Sequence, residues 1–125
     1  FRDGAQEYKA KAETVRNAEI YKNAYAMGIC PSEGLDSPTE IGAQAANELL
    51  CINGIKASFV VTEYNGKIYI SARSIDEVNV QIIMERLGGG GHMNIAGAQL
   101  TDTTPERAVF VVKETLNQML EEGAI

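Results

Sequence analysis

Asn65-Gly66, set between two apolar-rich runs, constrains this chain more than any other feature of its sequence. Both residues tolerate positive φ, which a two-residue hairpin turn needs if it is to match the twist of its strands. Residues 55–64 and 67–73 are therefore predicted to pair as antiparallel strands. The first run, with ASFVVTEY at its heart, is apolar on both faces and belongs in the middle of a sheet. The second alternates. Ile68, Ile70 and Ala72 point one way, and Lys67, Tyr69, Ser71 and Arg73 point the other. An isolated hairpin is marginal in water, so the remaining chain must add strands and a helical cover.

The rest of the sequence supplies them. Residues 24–30, AYAMGIC, read as a short buried strand, and residues 97–102 as another. Residues 5–22 are rich in Ala, Glu and Lys and read as a helix. Its apolar stripe, Tyr8, Ala12, Val15 and Ile20, is thin, so the helix is expected to be solvated or to pack on something outside the chain. Ser37-Pro38-Thr39-Glu40 reads as a helix start, with Ser37 at the N-cap, Pro38 first in the helix and Glu40 closing a capping box. That helix is expected to reach Cys51, to bury Ile41, Ala45, Leu49 and Ile52, and to stop at Asn53-Gly54. Residues 78–87 read as a helix with Val80, Ile83, Met84 and Leu87 inward. Thr104-Pro105 opens the last helix, which turns Ala108, Val111, Val112, Thr115, Leu116 and Met119 inward before Gly123. The expected fold class is α/β: a single domain with a mixed β-sheet of about four or five strands flanked by helices.

The bulk numbers narrow the function classes. The chain has 125 residues, 45% hydrophobic and 22% charged, enough for one real core. Its net charge of -6 repels a polyanion at long range, which disfavours long nucleic acid but leaves room for a small anionic ligand. Cys30 and Cys51 form no CxxC pair and are read as two buried reduced thiols. No run reaches the roughly 18 apolar residues of a spanning helix, and no signal-peptide pattern is present. The opening Phe1-Arg2-Asp3-Gly4 lacks an initiator Met and is read as a cut from a longer protein.

Gly88-Gly89-Gly90-Gly91-His92 is the motif with most chemical content. Gly88 alone can cap the preceding helix. Four glycines cost about 0.5–1 kcal/mol each in chain entropy unless the backbone needs them. One reading is a loop whose successive amides make a concave anion site, with Asn94-Ile95-Ala96 opening a helical turn that adds donors. The other is a flexible hairpin-like loop. His92, the only histidine, is suited to donate to a phosphate or scissile-bond oxygen; no Asp or His stands at ligand spacing from it, so no metal site is expected here. Ser71 and Arg73 share a strand face, with Ser74 just beyond, and offer a compact donor and a planar fork for phosphate. The alternative is a solvated polar face. No paired carboxylates, nucleophile-base pair or Walker-type lysine accompanies them.

Gly89-Gly90-Gly91-His92 followed two residues later by Ile95-Ala96-Gly97 resembles the GGGHxxAAG motif of the C-terminal DHH-associated domain, and Ser71-Ala72-Arg73-Ser74 resembles its SxRS strand. Ile95 departs from the Ala often found there. The features ISARS, NVQIIME, LGGGGH and AQL, with NAEIY near the start, are closest to membrane-anchored cyclic di-AMP phosphodiesterases of the GdpP/YybT type. The resemblance implies that residues 1–22 link to a missing DHH domain and that residues 23–125 bind substrate. It implies Ser71, Arg73, Ser74, Gly89, Gly90, Gly91 and His92 as the substrate-binding set, with His92 an assisting residue and no catalytic site complete in this chain. It further implies manganese in the upstream DHH domain, cyclic di-AMP or a short nucleotide as ligand, pApA as product, and a place on the cytoplasmic side of the membrane for the whole protein. A homodimer is left open. The alternatives are a related DHH exonuclease or nano-RNA phosphatase, or a non-enzymatic tRNA-binding and dimerisation module.

Overall fold

The computed structural model describes residues 4–125. Its elements in chain order are α1 (Ala5–Arg16), β1 (Glu19–Tyr21), β2 (Tyr25–Cys30), α2 (Pro38–Leu49), β3 (Ala57–Tyr64), β4 (Lys67–Ser74), α3 (Val80–Glu85), β5 (Gly90–Gly91), β6 (Ile95–Leu100) and α4 (Pro105–Glu122). The strands make one six-stranded mixed sheet in the order β1-β2-β3-β4-β6-β5. Among the described residues only β2 and β3 pair in parallel, and α2 connects them. The α/β class is as expected, and the sheet is larger than the four or five strands read from sequence by its two short edge strands.

The Asn65-Gly66 turn forms as predicted, with φ of 52° and 77° and Tyr64 paired to Lys67. β3 is central and β4 alternates, so the sheet has two differently used faces. On one face Phe59, Val61, Ile68, Ile70, Ala72, Ala96 and Ala98 pack with Val80, Ile83, Val112, Leu116 and Met119 of α3 and α4. On the other, Ala26, Cys30 and Val60 pack with Ile41, Ala45 and Leu49 of α2 and Ala10 of α1. The Ser58 hydroxyl donates to the Ala46 carbonyl at 2.6 Å and pins α2 over β3. α2 reaches across to β4, which leaves the same face of β6 and β5 open.

Several local readings are corrected. The helix expected over 5–22 ends at Arg16; residues 19–21 turn back as β1, through a turn in which Lys22 and Asn23 both have positive φ. Inside α1, Ala10 and Thr14 are the buried residues, while Tyr8 is 64% exposed and Ala12 is exposed. The N-terminal stretch expected as a linker therefore packs on α2 and adds an edge strand; its first three residues lie outside those described. Ser37 makes no side-chain cap, and its φ and ψ of -133° and 66° lie outside the extended geometry usual for a capping residue. α2 stops at Leu49, and Ile52 lies exposed. α3 is shorter than 78–87 and is capped by Asn79, whose Oδ1 accepts from the Gln81 and Ile82 amides. Asn94-Ile95-Ala96 opens no helical turn, since β6 begins at Ile95. Cys51 is exposed; only Cys30 is buried. No helix of the described residues is long and apolar enough to cross a membrane.

Candidate functional site

The open face of β4, β6 and β5 collects the polar residues singled out in the sequence. Alternation along β4 puts Tyr69, Ser71 and Arg73 on that face. The register continues each position across the sheet: Tyr69 opposite Gln99, Ser71 opposite Gly97, Arg73 opposite Ile95. Gly97 in turn faces Gly90 of the edge strand. A cleft of about 350 Å³ lies here, lined by Thr39 at the start of α2, by Tyr69 and Ser71, and by Gly89, Gly97 and Gln99.

Arg73 is half-buried and, among the described residues, has no carboxylate partner. Its Nη1 donates to the Ala72 carbonyl at 2.9 Å and the Ala96 carbonyl at 3.5 Å, so it lies along the β4–β6 seam. Burial lowers the guanidinium from its ordinary value, yet arginine stays charged in proteins. A sheltered cation with spare N–H donors and no counter-charge is suited to a bound anion.

The glycine run is not the nest of free amides that was one reading of it. The Gly88 and Gly89 amides donate to the Glu85 and Met84 carbonyls, and the His92 amide donates to the Ile95 carbonyl at 2.7 Å. Gly90 and Gly91 form the outermost strand, so the outer edge of β5 is unpaired. Close approach explains two of the glycines. A Cβ on Gly89 would strike Gly97 and Ala98, and one on Gly91, whose φ is 142°, would strike Ile95 and Ala96. Gly90 differs: nothing lies within 4 Å of where its Cβ would be, and its φ is not positive. The protein itself gives Gly90 no reason to be glycine.

His92 is exposed at the end of β5, tied through its amide to the residue opposite Arg73. The backbone thus brings Arg73 and His92 to one level of the sheet, on either side of Ile95. Ser74 stands apart from the set. It lies on the opposite face of β4, only 5% exposed, and its hydroxyl donates to the Val78 carbonyl at 2.6 Å. Asn94 Nδ2 donates to that same hydroxyl at 3.0 Å, and the Ser74 amide to the Asn94 carbonyl at 3.0 Å. Ser74 and Asn94 thereby brace the loop after β5 against the end of β4. The sequence reading missed this brace, and it missed Gln99 and Thr39, whose places depend on strand order and not on local spacing. Among the described residues no group of three or more His, Cys, Asp or Glu is placed to hold a metal ion. The resemblance places manganese in an upstream DHH domain and not on these residues.

The DHHA1 domain family matches residues 24–122. The cyclic-di-AMP phosphodiesterase GdpP of Geobacillus thermodenitrificans is 38% identical over 124 residues, covering 98% of this chain and 19% of that protein. The cyclic-di-AMP phosphodiesterase PdeA of Listeria monocytogenes is 43% identical over 98 residues, covering 78% of this chain and 15% of that protein. The chain thus spans less than a fifth of the length of these curated relatives. In fold it matches the crystal structure of an exopolyphosphatase-related protein from Bacteroides fragilis with a TM-score of 0.82 and 22% identity, over 94% of this chain and 36% of that one.

Proposed function

This chain belongs to the DHHA1 domain family, and we propose that it is the substrate-gripping part of a cyclic di-AMP phosphodiesterase that yields the linear dinucleotide pApA. The observation that carries the reading is Arg73: a half-buried guanidinium without a carboxylate partner among the described residues, on an open sheet face shared with Ser71. Arg73 holds a phosphate by charge-assisted bonds, and Ser71 adds a short donor beside it. The bare backbone at Gly90 lets the ligand lie close on the sheet, and His92 closes the far side. Positioning and charge stabilisation are the contribution of such a domain to phosphodiester hydrolysis. Manganese, in this proposal, belongs to an upstream DHH domain. The net charge of -6 favours a short nucleotide over a long polyanion.

The test uses a full-length protein in which this chain follows a DHH domain. His92→Ala and Arg73→Ala are expected to slow cyclic di-AMP hydrolysis about tenfold to a hundredfold while manganese occupancy stays unchanged. The 125-residue chain alone is expected to hydrolyse nothing, even with manganese added. Unchanged kinetics in both variants would sink the grip, and lost manganese would mean the residues hold metal instead.

A further inference from the structure

The β5–β6 hairpin that carries His92 has no apolar anchor. From Gly91 to Ile95 every residue is exposed except Asn94, which is half-buried; Met93 and Ile95 are 40% and 56% exposed. A segment with so little burial ordinarily opens at small cost. What holds it is polar and comes from the end of β4 and the loop after it. The Ser74 amide donates to the Asn94 carbonyl at 3.0 Å, and the Val80 amide to the Met93 carbonyl at 2.8 Å. Asn94 Nδ2 donates to the Ser74 hydroxyl at 3.0 Å and to the Asp76 carbonyl at 3.2 Å. The Ser74 hydroxyl directs its own proton to the Val78 carbonyl at 2.6 Å, which leaves its oxygen as the acceptor for Asn94. Side chains alternate along a strand, so Arg73 faces the open side of β4 and Ser74 the packed side. The residue that fixes the His92 hairpin is thus the next one in the chain after Arg73.

We propose that Asn94 is a positioning residue for His92: by tying the hairpin to Ser74 it holds the imidazole at the level of Arg73, where both side chains meet one phosphate. The inference rests on the phosphate grip proposed above and adds to it the device that fixes its second member. The chemistry of the position suits asparagine. A carboxamide carries two N–H donors on one nitrogen, and here one goes to Ser74 and the other to Asp76. Aspartate would set a carboxylate against the Asp76 and Val78 carbonyls, and alanine would leave the hairpin on its backbone bonds alone. His92 on a loosened hairpin must be ordered by the ligand as it binds, which lowers affinity without removing any contact atom.

The chain is titrated with AMP, a minimal nucleotide phosphate, and followed by heteronuclear NMR. His92 is the only histidine, so its ring signals are unambiguous, and they are expected to shift as AMP binds. Arg73→Ala and His92→Ala should each weaken AMP about tenfold or more. Asn94→Ala should weaken AMP about as much as His92→Ala, and its His92 ring signals should shift less at saturating AMP. Ser74→Ala should act in the same direction, because it removes the acceptor of the Asn94 bond; should Asn94→Ala fail to fold, Ser74→Ala carries the test, alone and combined with His92→Ala. The deciding variant is double. Asn94→Ala with His92→Ala should bind AMP no more weakly than His92→Ala alone, since nothing is left to position. A double variant weaker than His92→Ala, or unchanged AMP binding in both Asn94→Ala and Ser74→Ala, overturns the positioning role. The phosphate grip still stands in that case if Arg73→Ala and His92→Ala weaken binding. If AMP does not bind the unaltered chain, or binds His92→Ala normally, His92 is no part of a grip and the positioning role fails with it.

Discussion

Arg73 stands directly opposite Ile95 across the β4–β6 ladder, and the two invert the usual arrangement: the cation is half-buried while the isoleucine is 56% exposed. Apolar side chains ordinarily take the sheltered position. The arrangement costs the folded state, because burial disfavours the charged guanidinium. Arg73→Met keeps the stem and removes the charge, so the melting temperature should rise, by about 4 °C for each kcal/mol gained. Phosphate-bearing ligands should bind more weakly in the same variant. A lower melting temperature would show that the bonds from Arg73 to the Ala72 and Ala96 carbonyls outweigh the burial of the charge.

Gly89, Gly90 and Gly91 should separate into two classes under substitution. Gly89→Ala and Gly91→Ala place a methyl against neighbouring backbone and should destabilise by about 1–3 kcal/mol. Gly90→Ala meets nothing and should change stability by no more than about 0.5 kcal/mol. Gly90→Val should still fold and should lose affinity for AMP, because its branched side chain occupies the space given to the ligand. Denaturant melts paired with ligand titration read both classes, and a Gly90→Val chain that binds AMP normally would show that no ligand lies over Gly90.

The two thiols should react at very different rates. Cys51 is exposed and Cys30 is buried. Burial also pushes the Cys30 thiol up, so at neutral pH it stays protonated and unreactive. A thiol reagent should modify one cysteine per native chain quickly and the second only after denaturant is added. Rapid modification of both would mean that α1 and α2 open readily over β2.

The β1–β2 turn is a place where the sequence is not optimal. Lys22 and Asn23 both adopt positive φ, 52° and 60°, a conformation that favours Asn-Gly and penalises lysine. Replacing the pair by Asn-Gly (Lys22→Asn with Asn23→Gly) should stabilise the domain by about 0.5–1 kcal/mol. Urea unfolding midpoints check this, and no gain would show that the extra chain entropy of a glycine in place of Asn23 cancels the relief of strain.

That turn also shows what could and could not be read in advance. Asn65-Gly66 was legible because its residues suit positive φ, whereas Lys22-Asn23 carries no such signal and the Ala-, Glu- and Lys-rich run before it read straight on as helix. The faces of β4 were legible from alternation, which placed Ser71 and Arg73 together and should have placed Ser74 with Ala72 on the buried side. The pairing of β4 with β6 was not legible, because nothing local reveals that a strand beyond α3 and the glycine run lies beside it. Gln99 opposite Tyr69 is therefore a fact of strand order alone. Residues 94–96 read as a helical turn because Asn before apolar residues is an ordinary cap pattern; the bonds of Asn94 to Ser74 and to the Asp76 carbonyl hold them extended instead.

The parallel pairing of β2 with β3 bears on the order in which the chain assembles. β3 and β4 close through two residues, whereas Tyr25 of β2 meets Ala57 of β3 only after all the chain between them has been looped back through α2. Closing so long a loop costs entropy before any contact repays it. The hairpin, and the β6 strand that docks on it, should therefore form ahead of β2, so the face that carries Tyr69, Ser71 and Arg73 exists before its far neighbours arrive. Substitutions that weaken the Asn65-Gly66 turn should slow folding, and a truncation such as Met27→Ala should chiefly speed unfolding. If Met27→Ala instead slows folding in proportion to the stability it removes, the parallel pair is already in place at the barrier, and the chain commits to that long loop first.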